Sequence, residues 1–94
     1  MKDLNNKWIG EINKRSVFNI VVNDIKFYDN AYGEVAYISC EDNNSNAILI
    51  KTATSTEFYR KAINNKFMNI KATVSEHKIN KGIRVTILQR CKMI

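Results

Sequence analysis

Apolar and polar residues alternate with a period of two over most of this 94-residue chain. That spacing belongs to strands with one face in a core and the other in water. Over residues 17–25, Phe18, Ile20 and Val22 fall on one side while Asn19, Val21 and Asn23 fall on the other. Asp24 breaks the alternation. A bulge or bend near Asp24-Ile25 would restore it before Phe27 and let one long strand serve two sides of a closed sheet. Residues 28–33 supply a turn, with Gly33 able to take a positive φ, and the second strand runs from about 34 to 40. A polar turn over 41–46 leads to a third strand at 47–52, with Ile48 and Ile50 on one face and Leu49 and Lys51 on the other.

The period changes at Thr54-Ser55-Thr56-Glu57, where a hydroxyl residue followed three positions later by Glu matches a capping box. Phe58, Tyr59, Ala62 and Ile63 recur at helical spacing and predict one short amphipathic helix. It ends at Asn64-Asn65, and Asn is suited to a left-handed C-terminal position. Met68, Ile70, Ala72 and Val74 then alternate with Asn69, Lys71, Thr73 and Ser75 as a fourth strand with one buried and one wet face. A fifth strand, 83–90, sets Val85 and Ile87 against Thr86, Leu88 and Arg90. The basic connection Asn80-Lys81-Gly82 makes the last two strands a closing hairpin.

Three strands, a helix and two strands is the layout of the oligonucleotide/oligosaccharide-binding (OB) fold, a mainly β, five-stranded Greek-key barrel with its helix between strands 3 and 4. An SH3-like barrel and a two-layer α+β sheet are the alternatives. No proline, repeat or low-complexity linker divides the chain, so residues 1–94 are read as one domain with 1–12 as an N-terminal extension.

Charge adds a partner class. Fifteen Lys and Arg against nine Asp and Glu leave a formal +6, and clustered cations gain affinity for polyanions by releasing counterions from phosphates. Ordinary solubility charge would account for the same count. Cys40 and Cys91 are too few and too far apart for paired zinc ligands or a disulfide framework, and are expected to be reduced, half-buried strand residues. There is no Gly-rich phosphate loop, no pair of acid/base carboxylates and no metal-ligand cluster in the sequence. A non-enzymatic protein with no cofactor and no metal is the expectation. Without an apolar run of about 18 residues or a secretory leader, a soluble cytoplasmic protein without a membrane partner is expected.

Several short motifs carry a resemblance. Asn13-Lys14-Arg15 stands at the start of the first strand, Tyr32-Gly33 before the second and Asp42 with Asn46 in the following turn. The last segment holds Thr73-Val74, His77, Gly82, Thr86, Leu88 and Arg90-Cys91-Lys92. In these positions the chain resembles small OB-fold domains of bacteriophages and mobile elements, among them nucleic-acid-binding modules near replication and recombination proteins. The resemblance spans nearly the whole chain, but its specific part is the final segment. Ser45 departs from the turn glycine of that family, Ile50 from an aromatic that would offer a stacking platform, and Val85 from a polar residue. The resemblance implies a bacterial host cytoplasm as the setting.

OB folds usually bind single strands across strands 2 and 3, between the loop joining strands 1 and 2 and the loop joining strands 4 and 5. Bases stack on aromatics there while Lys and Arg track the backbone. The nucleic-acid-binding candidates are therefore Tyr28 and Tyr32 in the first loop, Tyr37 on the second strand and Lys51 on the third. His77, Lys78, Lys81 and Arg84 in or beside the second loop complete the set. Each has a plainer reading. Tyr37 fills the core if its face is the inward one, because both faces of its strand are equally apolar. Tyr28 and Tyr32 would cover the barrel mouth, and the cations would simply be solvated. His77, the only histidine, has no partner constellation for catalysis and is read as capping a strand end. Trp8 is read as the anchor of the N-terminal segment, because indole buries a large apolar area.

The leading functional expectation is a single-stranded nucleic-acid-binding module for DNA or RNA. The rival is a protein-interaction module that uses the same cations on an acidic face of its partner, such as a phage-encoded inhibitor of a host defence system, of the anti-CRISPR type, or a replication-complex subunit. The oligomeric state is open.

Overall fold

Among the described residues the alternation resolves into five strands and one short helix: β1 (Arg15–Asn30), β2 (Gly33–Glu41), β3 (Ala47–Ala53), α1 (Glu57–Ala62), β4 (Phe67–Asn80) and β5 (Ile83–Met93). The computed structural model describes residues 7–31 and 33–94, with Asn30 described by its backbone alone. The chain is mainly β, as its periodicity predicts. β1 is long enough to pair twice: its first half runs antiparallel to β4 from Arg15↔Thr73 to Val21↔Phe67, and the rest runs antiparallel to β2 from Val21↔Glu41 to Asn30↔Gly33. The sheet thereby closes in the ring order β1-β2-β3-β5-β4. β3 and β5 pair in parallel, from Ala47↔Val85 to Ile50↔Leu88. Closure leaves few unpaired strand edges to be protected.

Every strand sends alternate residues into the ring. Phe18 and Ile20, Ala36, Ile38 and Cys40, Ile48 and Ile50, then Met68, Ile70, Ala72 and Val74 are all buried, with Leu88 from β5 and Phe58 and Ala62 from α1. The inward set on β1 and β4 is the one that the pattern predicts. The polar side chain of Thr86 is fully enclosed with them, and its Oγ1 accepts a hydrogen bond from the Ile9 N–H at 3.0 Å. A buried hydroxyl with a partner avoids the desolvation cost of an orphan.

Bulges keep those faces consistent. On β1 the partners of Val22 and Asp24 are Cys40 and Ser39, so the extra residue is Asn23, one position before the expected bend. Val22 and Ile25 can then both pack on the core. On β4, Val74 and Glu76 face Leu88 and Ile87, which makes Ser75 the extra residue. A third irregularity lies where β5 passes Lys71 and Thr73, and Arg90 takes φ 54° there.

Several local expectations are corrected. Thr56, not Thr54, caps α1: its Oγ1 accepts from the Tyr59 N–H at 3.1 Å and donates to the Ala53 carbonyl at 2.9 Å. Glu57 therefore begins the helix and pairs with Lys61 one turn on, at 3.5 Å. The helix ends at Ala62, with Ile63 as a right-handed cap. Asn64 and Asn65 finish it through their side chains, whose amides donate to the Arg60 and Lys61 carbonyls at 3.1 and 2.9 Å. β1 and β4 also reach farther than the alternation suggests. This puts Tyr28 on β1 rather than in a loop, and His77 and Lys78 within β4.

The tight turns explain those long hairpins. Asn80 pairs with Ile83, leaving Lys81-Gly82 as a two-residue connection with φ of 53° and 82°. Two successive positive φ values give the turn whose twist suits a hairpin. In the β2–β3 turn, Ser45 adopts φ 64° where glycine would be easier, and the Asp42 carboxylate accepts from the Asn44 and Asn46 N–H groups, each at 2.9 Å.

Candidate functional site

The outward face of β2 settles the two readings of Tyr37. Ala36 and Ile38 are fully buried, so Tyr37 between them points out of the ring and is half-buried there. Its direct cross-strand neighbours are Lys26 on β1 and Lys51 on β3. Residues paired across neighbouring strands share a face, so these three form one row: lysine, tyrosine, lysine. The Lys51 ammonium stands 6.0 Å from the Tyr37 ring centroid, at the outer limit of a cation–π contact.

Tyr28, two residues along β1 from Lys26, projects to the same side and meets Tyr37 edge to face, with centroids 5.1 Å apart and planes at 81°. Tyr28 is 53% exposed. The pair thus presents aromatic surface in an arrangement that aromatic quadrupoles favour. Farther along the face, Ser39, Leu49 and Ile87 follow in register, with Asp24 and Glu76 at the flanks.

The β4–β5 hairpin divides the remaining candidates between its two faces. Lys78 is opposite Val85, which pairs in turn with Ala47 on the outward side, and its ammonium lies 3.8 Å from the Glu76 carboxylate. Lys81 is exposed in the turn. His77 and Arg84 face the other way, with buried Thr86, and the N-terminal segment covers them. The His77 ring stacks on Trp8 at 5.4 Å and 13°, and the Arg84 guanidinium sits 5.4 Å from the Trp8 centroid. The Trp8 Nε1–H donates to the Lys78 carbonyl at 2.8 Å, and His77 Nε2 is 3.4 Å from the Ile9 carbonyl oxygen. His77 therefore does not cap a strand end; it is the middle of a clasp between the N-terminal segment and the hairpin. Trp8 anchors that segment.

Of the eight candidates, the structure brings Tyr28, Tyr37 and Lys51 together and sets Lys78 and Lys81 on the hairpin beyond them. It places His77 and Arg84 on the opposite face of that hairpin. Tyr32 lies outside the described residues. Lys26 is the member of the row that sequence patterning missed. Its signal was the break at Asp24: one extra residue at Asn23 moves Lys26 to the outward side opposite Tyr37.

The remaining chemistry is sparse. Both cysteines are free, Cys40 buried and Cys91 half-buried. Burial raises each thiol from 9.0 to about 12, with the neighbouring Cys91 adding to the rise at Cys40 and the Arg15 charge opposing it at Cys91. Neither is an activated nucleophile, since that requires a depressed value. Among the described residues, no group of three or more His, Cys, Asp and Glu is placed to hold a metal ion. No helix of the described residues is long and apolar enough to cross a membrane. No protein-family model, curated protein or solved structure matches this chain.

Proposed function

We propose that this chain is a non-enzymatic module of the OB type that binds single-stranded nucleic acid across the outward face of β1, β2 and β3. The observation that carries this reading is the Lys26–Tyr37–Lys51 row with Tyr28 edge-on beside it. A base has a π face whatever its sequence, so a tyrosine platform accepts it without base-edge readout, while a lysine on either side meets the backbone phosphates. The OB assignment is supported by the ring order, the parallel β3/β5 pair and the position of α1 between β3 and β4. The exposed hairpin cation Lys81 would extend the positive border of the groove, while Lys78 is paired with Glu76. The formal +6 of the whole chain favours the same ligand class.

Fluorescence anisotropy with labelled oligothymidylate and oligouridylate, titrated with micromolar protein at low and at moderate salt, tests the proposal. Salt-dependent binding that weakens roughly 5- to 150-fold in Tyr37→Ala is expected, from about 1 to 3 kcal/mol per stacked base. Replacing Lys51 by Ala should reduce the steepness of the salt dependence by about 0.7, one phosphate's share for a single strand. Absence of binding at low salt would sink the proposal.

A further inference from the structure

The outward face of β1 and β4, on the other side of the ring, carries a second set of groups that the tyrosine face does not use. Its rows are given by the register: Val21 with Phe67, Asn19 with Asn69, Val17 with Lys71, and Arg15 with Thr73. β5 extends two of these rows, placing Lys92 opposite Lys71 and Gln89 opposite Thr73. Phe67 is 73% exposed, the most exposed of the large apolar side chains among the described residues, and Val17 is 58% exposed. One exposed apolar residue means little by itself. Its surroundings give this one meaning.

Phe67 borders a shallow hollow of about 450 Å³ that Asn19, Asn43 and Asn69 also line. The side-chain amides of these three residues make no hydrogen bond to another described residue. Two donors and an acceptor on each are therefore available beside an open aromatic ring. About 13 Å along β4, at roughly 3.3 Å per residue, Lys71 and Lys92 stand directly opposite each other. Like charges in that relation repel, and among the described residues neither has a carboxylate within ion-pair distance. Arg15 adds a third cation in a fixed place. Its Nη1 donates to the Arg90 carbonyl at 2.8 Å and to Thr73 Oγ1 at 3.3 Å, and its Nη2 donates to the Lys71 carbonyl at 3.4 Å. Its partners among the described residues are neutral, so they position its charge without cancelling it.

We propose that this face is a second contact surface for single-stranded nucleic acid, with an unpaired base stacked on Phe67, its edge met by the Asn19, Asn43 and Asn69 amides, and phosphates held by Lys71, Lys92 and Arg15. The inference rests on the proposed function for its ligand class and on none of that site's residues. An anionic ligand relieves the Lys71/Lys92 repulsion, a flat apolar one covers Phe67, and one with donors and acceptors in its plane uses the three amides. A single strand combines all three properties. The open amides make this face the more base-selective of the two, since amide groups read base edges while a bare tyrosine platform does not.

The test is binding stoichiometry of the full chain with oligothymidylate of about six nucleotides, near the short end of site sizes for folds of this size. Two oligonucleotides per chain are expected. The pair Lys71→Glu and Lys92→Glu should leave one, and so should Tyr37→Ala with Lys51→Glu, the four substitutions together leaving none. Phe67→Ala should weaken the second site roughly 5- to 150-fold. All the substituted side chains point outward, and an unchanged circular dichroism spectrum and unfolding midpoint would show that each variant folds. If the Lys71/Lys92 variant keeps the wild-type stoichiometry, the second surface is overturned and the tyrosine face stands. If the Tyr37/Lys51 variant alone changes nothing, the tyrosine face falls and this one stands. Self-association that is lost in Phe67→Ala, with no oligonucleotide bound there, would overturn the inference in favour of contact with a second copy.

Discussion

The indole of Trp8 lies nearly parallel to the imidazole of His77, 5.4 Å away, although 69 positions separate them in the chain. Through this contact the N-terminal segment closes over the β4–β5 hairpin. Lys7 N–H donates to Asn46 Oδ1 at 2.7 Å, Ile9 N–H to Thr86 Oγ1 at 3.0 Å, and Asn13 N–H to the Val74 carbonyl at 2.7 Å. The segment is thus bonded to the β2–β3 turn, β5 and β4 in succession.

Trp8→Ala removes the stack, the contact with Arg84 and the bond to the Lys78 carbonyl. Because Trp8 is only partly buried, the expected loss is about 1–3 kcal/mol, below that of a fully enclosed aromatic. Urea unfolding followed by circular dichroism measures it, and an unchanged midpoint would mean that the clasp contributes nothing to stability.

Gly10 and Gly82 both have positive φ, 71° and 82°, but differ in what surrounds them. A Cβ at Gly10 would lie 2.7 Å from Val74 Cγ2 and 3.2 Å from Phe18 Cζ, while a Cβ at Gly82 would meet nothing within 4 Å. Gly82→Ala should cost only the backbone penalty, about 1–2 kcal/mol. Gly10→Ala should cost more, because two core side chains must also move. Equal unfolding midpoints for the two variants would contradict this account.

Ser45 holds φ 64° in a turn secured by the Asp42 carboxylate. Replacing it by Gly relieves the left-handed strain and loses part of that gain to the more flexible unfolded chain. A net stabilisation of up to about 1 kcal/mol is expected. A lower unfolding temperature for Ser45→Gly would show that the serine itself supports the turn.

The two thiols make stability pH-dependent on the alkaline side. Unfolded, each ionises near 9.0, but folded, burial delays this to about 12. Between those values the native state keeps protons that the unfolded state has released, so the thiols' contribution is full below pH 9 and declines as pH rises towards 12. Thiolate absorbance should therefore appear near pH 12 in the native protein and near pH 9 in denaturant. Coincident titrations would show that the thiols are not protected.

Periodicity was sufficient to determine much of the fold. Alternation of Met68, Ile70, Ala72 and Val74 with polar neighbours determines which face of β4 is buried, because a one-residue slip would put the entire set in water. The hydroxyl residues before Phe58 located the helix start to within two positions. Which hydroxyl caps it was decided by geometry: only Thr56 reaches both the Tyr59 N–H and the Ala53 carbonyl. The face of Tyr37 could not be read from β2 alone, where both sides are apolar. It followed from which side the closed ring encloses, and ring closure depends on β1 pairing with two partners. Lys26 joined the tyrosine row because of one extra residue at Asn23, a register event between strands. His77 and Arg84 looked like parts of one basic loop because they are close in sequence to Lys78 and Lys81. Period-two geometry puts them on the opposite face, and the distant N-terminal segment gives them Trp8 as a partner. Local alternation thus determined the strands and the inward faces of β1 and β4, while contacts between residues far apart in sequence decided which outward side chains share a surface.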